Sequence, residues 1–288
     1  MSLPTIPPKS KYSEAELAAF WETALGADSG VALPSAIAQD LSAYTSEPTD
    51  VVLQKMANGM ATFKALWEER GVDARDAAGV ERFYQDQFVE AYELAHWHSG
   101  VLNKAYPLNY AYAALLARDL GARRVLDFGS GIGSGVLCFG KAGCTVDAAD
   151  IANVLLDFVV ARARRHNVTV RPIRLFAGEA PQGPYDLIAC FDVLEHVPDQ
   201  RAKLRELEGY LAVGGVLVTN LLQDSTHEDR PMHISSAGPH LPLVRSTGLV
   251  PVWSWWGTDL QVLQRTQFGR LRNMAAALRE RKGASEPR

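Results

Sequence analysis

The chain has 288 residues, 47% hydrophobic and 22% charged, a composition that suits a globular fold with a core large enough to need no disulfide or structural metal. A formal net charge of −4 excludes a broad basic field, so nucleic acid is not an expected partner. No apolar run approaches the ~18 residues of a membrane span, and residues 1–10 lack the charged-then-apolar order of a signal peptide, so a cytoplasmic protein without membrane contact is expected.

Residues 1–120 read as helices. Ser13 followed by Glu16 makes a capping box, Leu17, Phe20, Trp21 and Leu25 follow at helical spacing, and Gly26 suits the stop. Val52, Met56, Met60, Phe63 and Leu66 predict a second amphipathic helix, with Gly71 beyond its end. A third is expected over about 81–97, and a fourth from about Leu108 to Gly121. From Arg124 the pattern changes. Short β-prone runs at 125–128, 145–149, 168–173, 185–191 and 216–221 alternate with helical stretches at 136–142, 152–166 and 200–211. That alternation predicts an α/β fold with a parallel sheet and helices on both faces. A helix near 242–247 precedes two final runs, 249–255 and 260–263, whose short link fits an antiparallel hairpin. Cys138, Cys144 and Cys190 lie in apolar stretches without a CxxC pair and read as buried, reduced thiols. The organisation expected is a helical segment over 1–120 serving as lid or interface, a cofactor domain over 121–270, and a basic tail over 271–288.

The most informative stretch runs from Val125 to Gly135, an apolar strand entering a glycine-rich turn and then a helix. Glycines permit the tight turn and let backbone N–H groups approach a ligand. Two carboxylates sharpen the signal. Asp150 ends the next strand, about 20 residues on, where an acid takes ribose hydroxyls. Asp127 ends the first strand, where a carboxylate disfavours the pyrophosphate of a dinucleotide but suits a ligand with ammonium and sulfonium groups. Counting from Gly129, Ser134 also stands where the dinucleotide fingerprint requires Gly or Ala.

Asp127 through Gly133 resembles motif I of the class I S-adenosylmethionine-dependent methyltransferases. Residues 146–151 resemble that family's second motif, 191–197 the end of its fourth strand, and 214–220 its fifth. The resemblance covers roughly 120–265. It implies a Rossmann-like, mostly parallel seven-stranded sheet with S-adenosylmethionine as cofactor and S-adenosylhomocysteine as product. Asp127, Gly129, Ser130, Gly131 and Gly133 would surround the methionine moiety. Asp150 would hold the ribose, Ile151 would pack on adenine, and Phe191 and Asp192 would edge the site. The acid that the family often places after its third strand has only Glu179 as a weak counterpart. Helical segments like the one bearing Tyr92, His96, Trp97, His98 and Tyr106 form lids or subunit interfaces in related enzymes, so a homo-oligomer through these helices is one expectation.

Methyl transfer from a sulfonium requires alignment and exclusion of water, and a base only where the acceptor must lose a proton. The candidate bases are His196, after the fourth strand, and His233, after the fifth. His96 and His98 are alternatives from a helical lid. His196, His227, His233 and His240 match no ordinary zinc spacing, so no metal is expected. Asp192 and Asn220 faintly resemble the metal-dependent catechol-type enzymes, without their fuller acidic set. Trp253, Trp255 and Trp256 read as sheet packing or as an aromatic wall for the acceptor. The function implied is methyl transfer to an oxygen or nitrogen atom of a small molecule. Two alternatives stay open: a catalytically silent fold used for binding or assembly, and a nicotinamide-dependent oxidoreductase, which Asp127 and Ser134 disfavour.

Overall fold

Strands β1 (Arg124–Phe128), β2 (Thr145–Asp150), β3 (Val170–Arg174), β4 (Tyr185–Cys190), β5 (Leu211–Asn220), β6 (Leu249–Trp255) and β7 (Leu260–Arg265) form one sheet. Their order is β3-β2-β1-β4-β5-β7-β6. β1 to β5 pair in parallel, and β7 runs antiparallel to both β5 and β6, which gives the expected terminal hairpin. The computed structural model describes residues 6–27, 30–85, 87–100, 105–220, 230–234, 240–255 and 260–273, with backbone alone at 9, 105–106, 240–241 and 253–255. Among these residues no helix is long and apolar enough to cross a membrane. The three cysteines are buried and unpaired.

Strand order reverses between β1 and β4, and such a reversal opens a crevice beyond the carboxyl ends of the strands. Residues 125–128 of β1 are all buried, as a central parallel strand covered on both faces requires. Alternation then sorts the side chains into two cores. Leu126, Ile188, Leu217 and Leu263 face α10 (Gln200–Tyr210) and α11 (His240–Arg245). Val125, Leu187, Val218 and Val262 face the other way, towards α8 (Ser134–Lys141) and α9 (Asn153–Arg165).

That second core continues without a break into the N-terminal helices: α1 (Glu14–Ala24), α2 (Leu33–Thr45), α3 (Thr49–Ala57), α4 (Gly59–Glu69), α5 (Ala77–Gln85), α6 (Val89–His98) and α7 (Ala105–Asp119). The helical part is therefore built into the sheet's core. A buried polar network ties it down further. Arg162 of α9 donates to Asp40 of α2 at 2.9 Å, and to the Ile132 carbonyl and Ser134 Oγ at 2.9 and 3.0 Å. His166 adds a contact to Asp40 at 2.9 Å, and His98 of α6 meets Ser134 Oγ at 2.8 Å.

The capping box at Ser13 and Glu16 forms as expected. The helix expected across Val52 to Leu66 is two helices broken at Asn58, because α4 starts hard against α6. A Cβ on Gly59 would lie 2.6 Å from the Glu93 nitrogen. The helix expected over 81–97 is likewise two, and the Gln87 side chain accepts from Glu90 N–H at the start of α6. α2 has no counterpart among the four helices expected, although Pro34 in its first turn and left-handed Ser46 at its end are ordinary helix signals. β5 begins at Leu211, earlier than its apolar run, since α10 feeds directly into it. Past 270, Asn273 is buried and donates to the carbonyls of Thr247 and Leu249, both at 2.9 Å.

Candidate active site

The crevice at the strand reversal is lined by Gly129, Ser130, Gly131, Asp150, Ile151, Phe191 and Asp192, so the fold brings together seven of the nine residues expected around a cofactor. Gly129 has φ +75°, and a Cβ there would stand 2.1 Å from Val193 Cγ2, so backbone sign and space both demand glycine. Ser130 Oγ is buried with no hydrogen-bond partner, a polar atom left for a ligand. Asp150 accepts from Gly131 N–H at 2.8 Å and from Ala152 N–H at 2.9 Å. Burial nevertheless raises its carboxyl above the ordinary range.

Asp127 and Gly133 do not line the crevice. Asp127 shares its face of β1 with Val125 and so turns under α8, where it accepts from Val136 N–H. Its Oδ2 is buried without a hydrogen-bond partner, and burial, with Asp150 nearby, pushes its pKa up to about 8. The expectation that Asp127 faces the ligand with a negative charge is therefore corrected: the side chain stands behind the glycine loop. Gly133 is the left-handed residue that starts α8, packed against Val159.

At the end of β4, Asp192 has φ +52°, a backbone region that is strained for a side chain. A reciprocal pair holds it there. Asp192 N–H donates to Asn220 Oδ1 at 2.8 Å, and Asn220 Nδ2 donates to Asp192 Oδ1 at 2.6 Å. Glu179 lies outside the crevice and accepts from Arg174 N–H. Gln85 of α5, which no motif marks, donates to the Ile151 carbonyl and accepts from Asn153 N–H. It buckles the helical part onto the loop after β2.

A second chamber adjoins the crevice. Glu90, His98, Tyr110, Asp192 and His196 line both, while Glu93, Trp97, Glu195, Arg230 and His233 line only the second. His196 and His233 are thus neighbours, their rings perpendicular and 4.8 Å apart. His196 Nδ1 faces the Met232 carbonyl at 3.3 Å, which favours the tautomer that leaves Nε2 a free lone pair. Burial, with His233 adding to it, lowers the His196 pKa to about 3. His98 is lowered to about 3 by the same cause. His96 lines neither cavity, and Tyr92 donates to Glu47. His227, Trp256 and the side chains of Tyr106, His240, Trp253 and Trp255 lie outside the described residues.

The carboxyls respond to burial in the opposite sense. Glu195 is pushed up to about 8 and Glu93 to about 7, while Glu90 stands well above its ordinary value. Of the histidines weighed as metal ligands, folding gathers His196 and His233 with Glu195, one ligand atom from each lying within 4.8 Å of the others. No local spacing marks that set, because its members come from two separate loops.

A parallel sheet of this order, closed by one antiparallel strand and carrying a glycine loop and an acid after β2, defines the S-adenosylmethionine-binding methyltransferase fold. Residues 103–280 match the methyltransferase domain family, and the chain belongs to it. S-adenosylmethionine is the cofactor of that domain, and the crevice fits it through the loop that admits only glycine, the unpartnered Ser130 hydroxyl and Asp150. The ubiquinone biosynthesis O-methyltransferase of Bordetella avium is 32% identical over 118 residues, 40% of this chain and 48% of the relative. That of Xanthomonas campestris is 32% identical over 125 residues, 42% and 52% of the two chains. The chain thus spans about half the length of these curated relatives. Among solved structures, an O-methyltransferase family protein from Burkholderia thailandensis aligns over 72% of this chain and 71% of its own, at 16% identity and a TM-score of 0.48. The N-methyltransferase NodS from Bradyrhizobium japonicum, in complex with S-adenosyl-L-homocysteine, aligns over 52% and 83%, at 19% identity and 0.41.

Proposed function

We propose that the protein methylates an oxygen or nitrogen atom of a small molecule held in the second chamber. The observation that carries this reading is the shared wall. Asp192, Tyr110 and His196 face both cavities, so a molecule in the chamber meets the cofactor crevice across a few side chains. When bound, S-adenosylmethionine supplies an electrophilic methyl group.

The chain's own residues do the rest. The backbone at Gly129 to Gly131 and the Ser130 hydroxyl receive the amino-acid end of the cofactor, Asp150 takes the ribose hydroxyls, and Ile151 lies under the adenine. Phe191 and Asp192 close the edge next to the acceptor. Asp127 and Gly133 act from behind, setting the loop on α8. His196 and His233 are the groups placed to take an acceptor's proton; His196 is unprotonated through the physiological range and offers Nε2. Alignment by the helical wall and exclusion of water contribute the larger part of the acceleration. The names of the curated relatives support oxygen as the acceptor atom, and the chamber's acids support nitrogen.

Calorimetry with S-adenosylhomocysteine and NAD, followed by release of S-adenosylhomocysteine over a panel of acceptors, tests the reading. S-adenosylhomocysteine is expected to bind and NAD to fail. Asp150→Ala is expected to weaken cofactor binding by about tenfold or more. His233→Ala is expected to lose about hundredfold in turnover with near-normal cofactor affinity. Tight NAD binding, or full turnover in His233→Ala, would remove the corresponding assignment.

A further inference from the structure

We infer that the acceptor carries an amine, entering the second chamber as an ammonium ion, and that its nitrogen is the atom methylated. This rests on the methyl-transfer reading above. Glu93 and Glu195 line only the second chamber, and Glu90 and Asp192 stand on the wall it shares with the crevice. Glu195 is 2% exposed, and neither of its carboxyl oxygens has a hydrogen-bond partner. A buried carboxyl left in that state lacks a donor or a cation that the site is built to receive. Among the described lining residues Arg230 is the sole Lys or Arg, and its guanidinium lies 4.8 Å over the Trp97 ring. The chamber thus sets four carboxyls against one guanidinium, with His98 and His196 uncharged. Positive charges on the cofactor can account for the acids on the shared wall, and Trp97 and Arg230 for Glu93, which leaves Glu195 beyond it.

The rest of the lining fits the same ligand. Phe63, Tyr84, Trp97 and Tyr110 present aromatic rings, whose faces attract cations. A hydroxyl acceptor would have to develop negative charge here. An arriving ammonium instead supplies the charge and the donors that let a buried acid such as Glu195 ionise, which a neutral hydroxyl does not. The ammonium's proton passes to the His233 imidazole, which becomes an imidazolium beside Glu195. The freed lone pair then forms the N–CH3 bond, the C–S bond breaks with its electron pair left on sulfur, and the positive charge ends on nitrogen among the acids.

The test uses the full chain saturated with S-adenosylhomocysteine, titrated separately with phenethylamine, its isostere 2-phenylethanol, MgCl2 and ZnCl2, and read by calorimetry and ligand-observed NMR. Phenethylamine is expected to bind at least about tenfold more tightly than the alcohol. Glu195→Gln and Glu93→Gln, which keep shape and remove charge, should each cut that preference below about threefold while S-adenosylhomocysteine affinity moves less than about twofold. Equal affinity for amine and alcohol, no response to either, or a preference that survives both substitutions would overturn the inference. So would a divalent ion that binds in a Glu195-dependent way and displaces the amine, since Glu195, His196 and His233 would then be serving a metal. Failure to bind S-adenosylhomocysteine would instead sink the methyl-transfer reading itself.

Discussion

The two walls of the crevice are built on opposite plans. The inner wall of the crevice is largely local: Phe128 to Gly131 and the carboxyl ends of β2 and β4 form it, and Tyr84, Glu90, Leu94, His98 and Tyr110 of the helical part close the side opposite. The wall proposed to hold the acceptor is side chain: Glu93 and Trp97 from α6 meet Glu195 and His196 from the turn after β4, and Arg230 and His233 from the segment after β5. A largely local wall fixes one ligand class and leaves little room for variation. A wall made of side chains can be altered one residue at a time while the sheet behind it stands.

Gly129→Ala is the most damaging single change by this logic. Its Cβ would sit 2.1 Å from Val193 Cγ2 at a φ of +75°, so clash and backbone strain combine. S-adenosylhomocysteine affinity is expected to fall by about hundredfold, with the fold retained by circular dichroism. An affinity within threefold of the parent would mean that the loop is far softer than its packing indicates.

The next largest effect tests the join between the two plans. Arg162 is fully buried and bonds at once to α2, the glycine loop and the first residue of α8. Arg162→Met keeps volume but leaves Asp40 with only His166 and the half-exposed Arg165 as partners. Loss of a buried pair member costs about 3–5 kcal/mol, so the melting temperature should drop by roughly 6–15 °C. Cofactor affinity should fall alongside it, because Ile132 and Ser134 lie within the loop's exit. If stability drops and affinity does not, the helical part merely covers the sheet; if both drop, it shapes the cofactor wall too.

The same contrast explains what could be read from the residues in order. The glycine loop, Asp150 and the strand–helix alternation are local patterns, and all were legible. Asp127 lies at the expected strand end, and period two sets it on the face of Val125, under α8, away from the crevice. The acceptor wall was legible only in part, since His196 and His233 followed strands whose ends meet. Glu93, Glu195 and Arg230 were invisible as a group, because helical period tells that α6 is buried and says nothing of what faces it. The Asp40–Arg162 pair, 122 residues apart, carries no local signal at all.

The smallest effect compares the walls through pH. Burial raises Asp127 behind the loop to about 8, and in the chamber Glu195 to about 8 and Glu93 to about 7. Each binds its proton more tightly folded than unfolded, so the stability it contributes is complete below its ordinary carboxyl range and is lost as pH rises through the folded value. His98 and His196, lowered to about 3, act oppositely: the unfolded chain takes up their protons first, so their effect is a loss of stability as pH falls below about 6.5. Between about pH 6.5 and 8 the histidines' effect fades and the acids set the sign. The ligand-free protein should therefore melt at progressively lower temperature across that window, with each acid contributing at most about 1.4 kcal/mol per pH unit. Scanning calorimetry at constant ionic strength reads this directly. Asp127→Asn and Glu195→Gln should each flatten the decline, the first by relieving the cofactor wall and the second the acceptor wall. A melting temperature that holds steady or climbs from pH 6.5 to 8 would mean that these carboxyls find partners in solution, and that neither wall stores an unpaired acid.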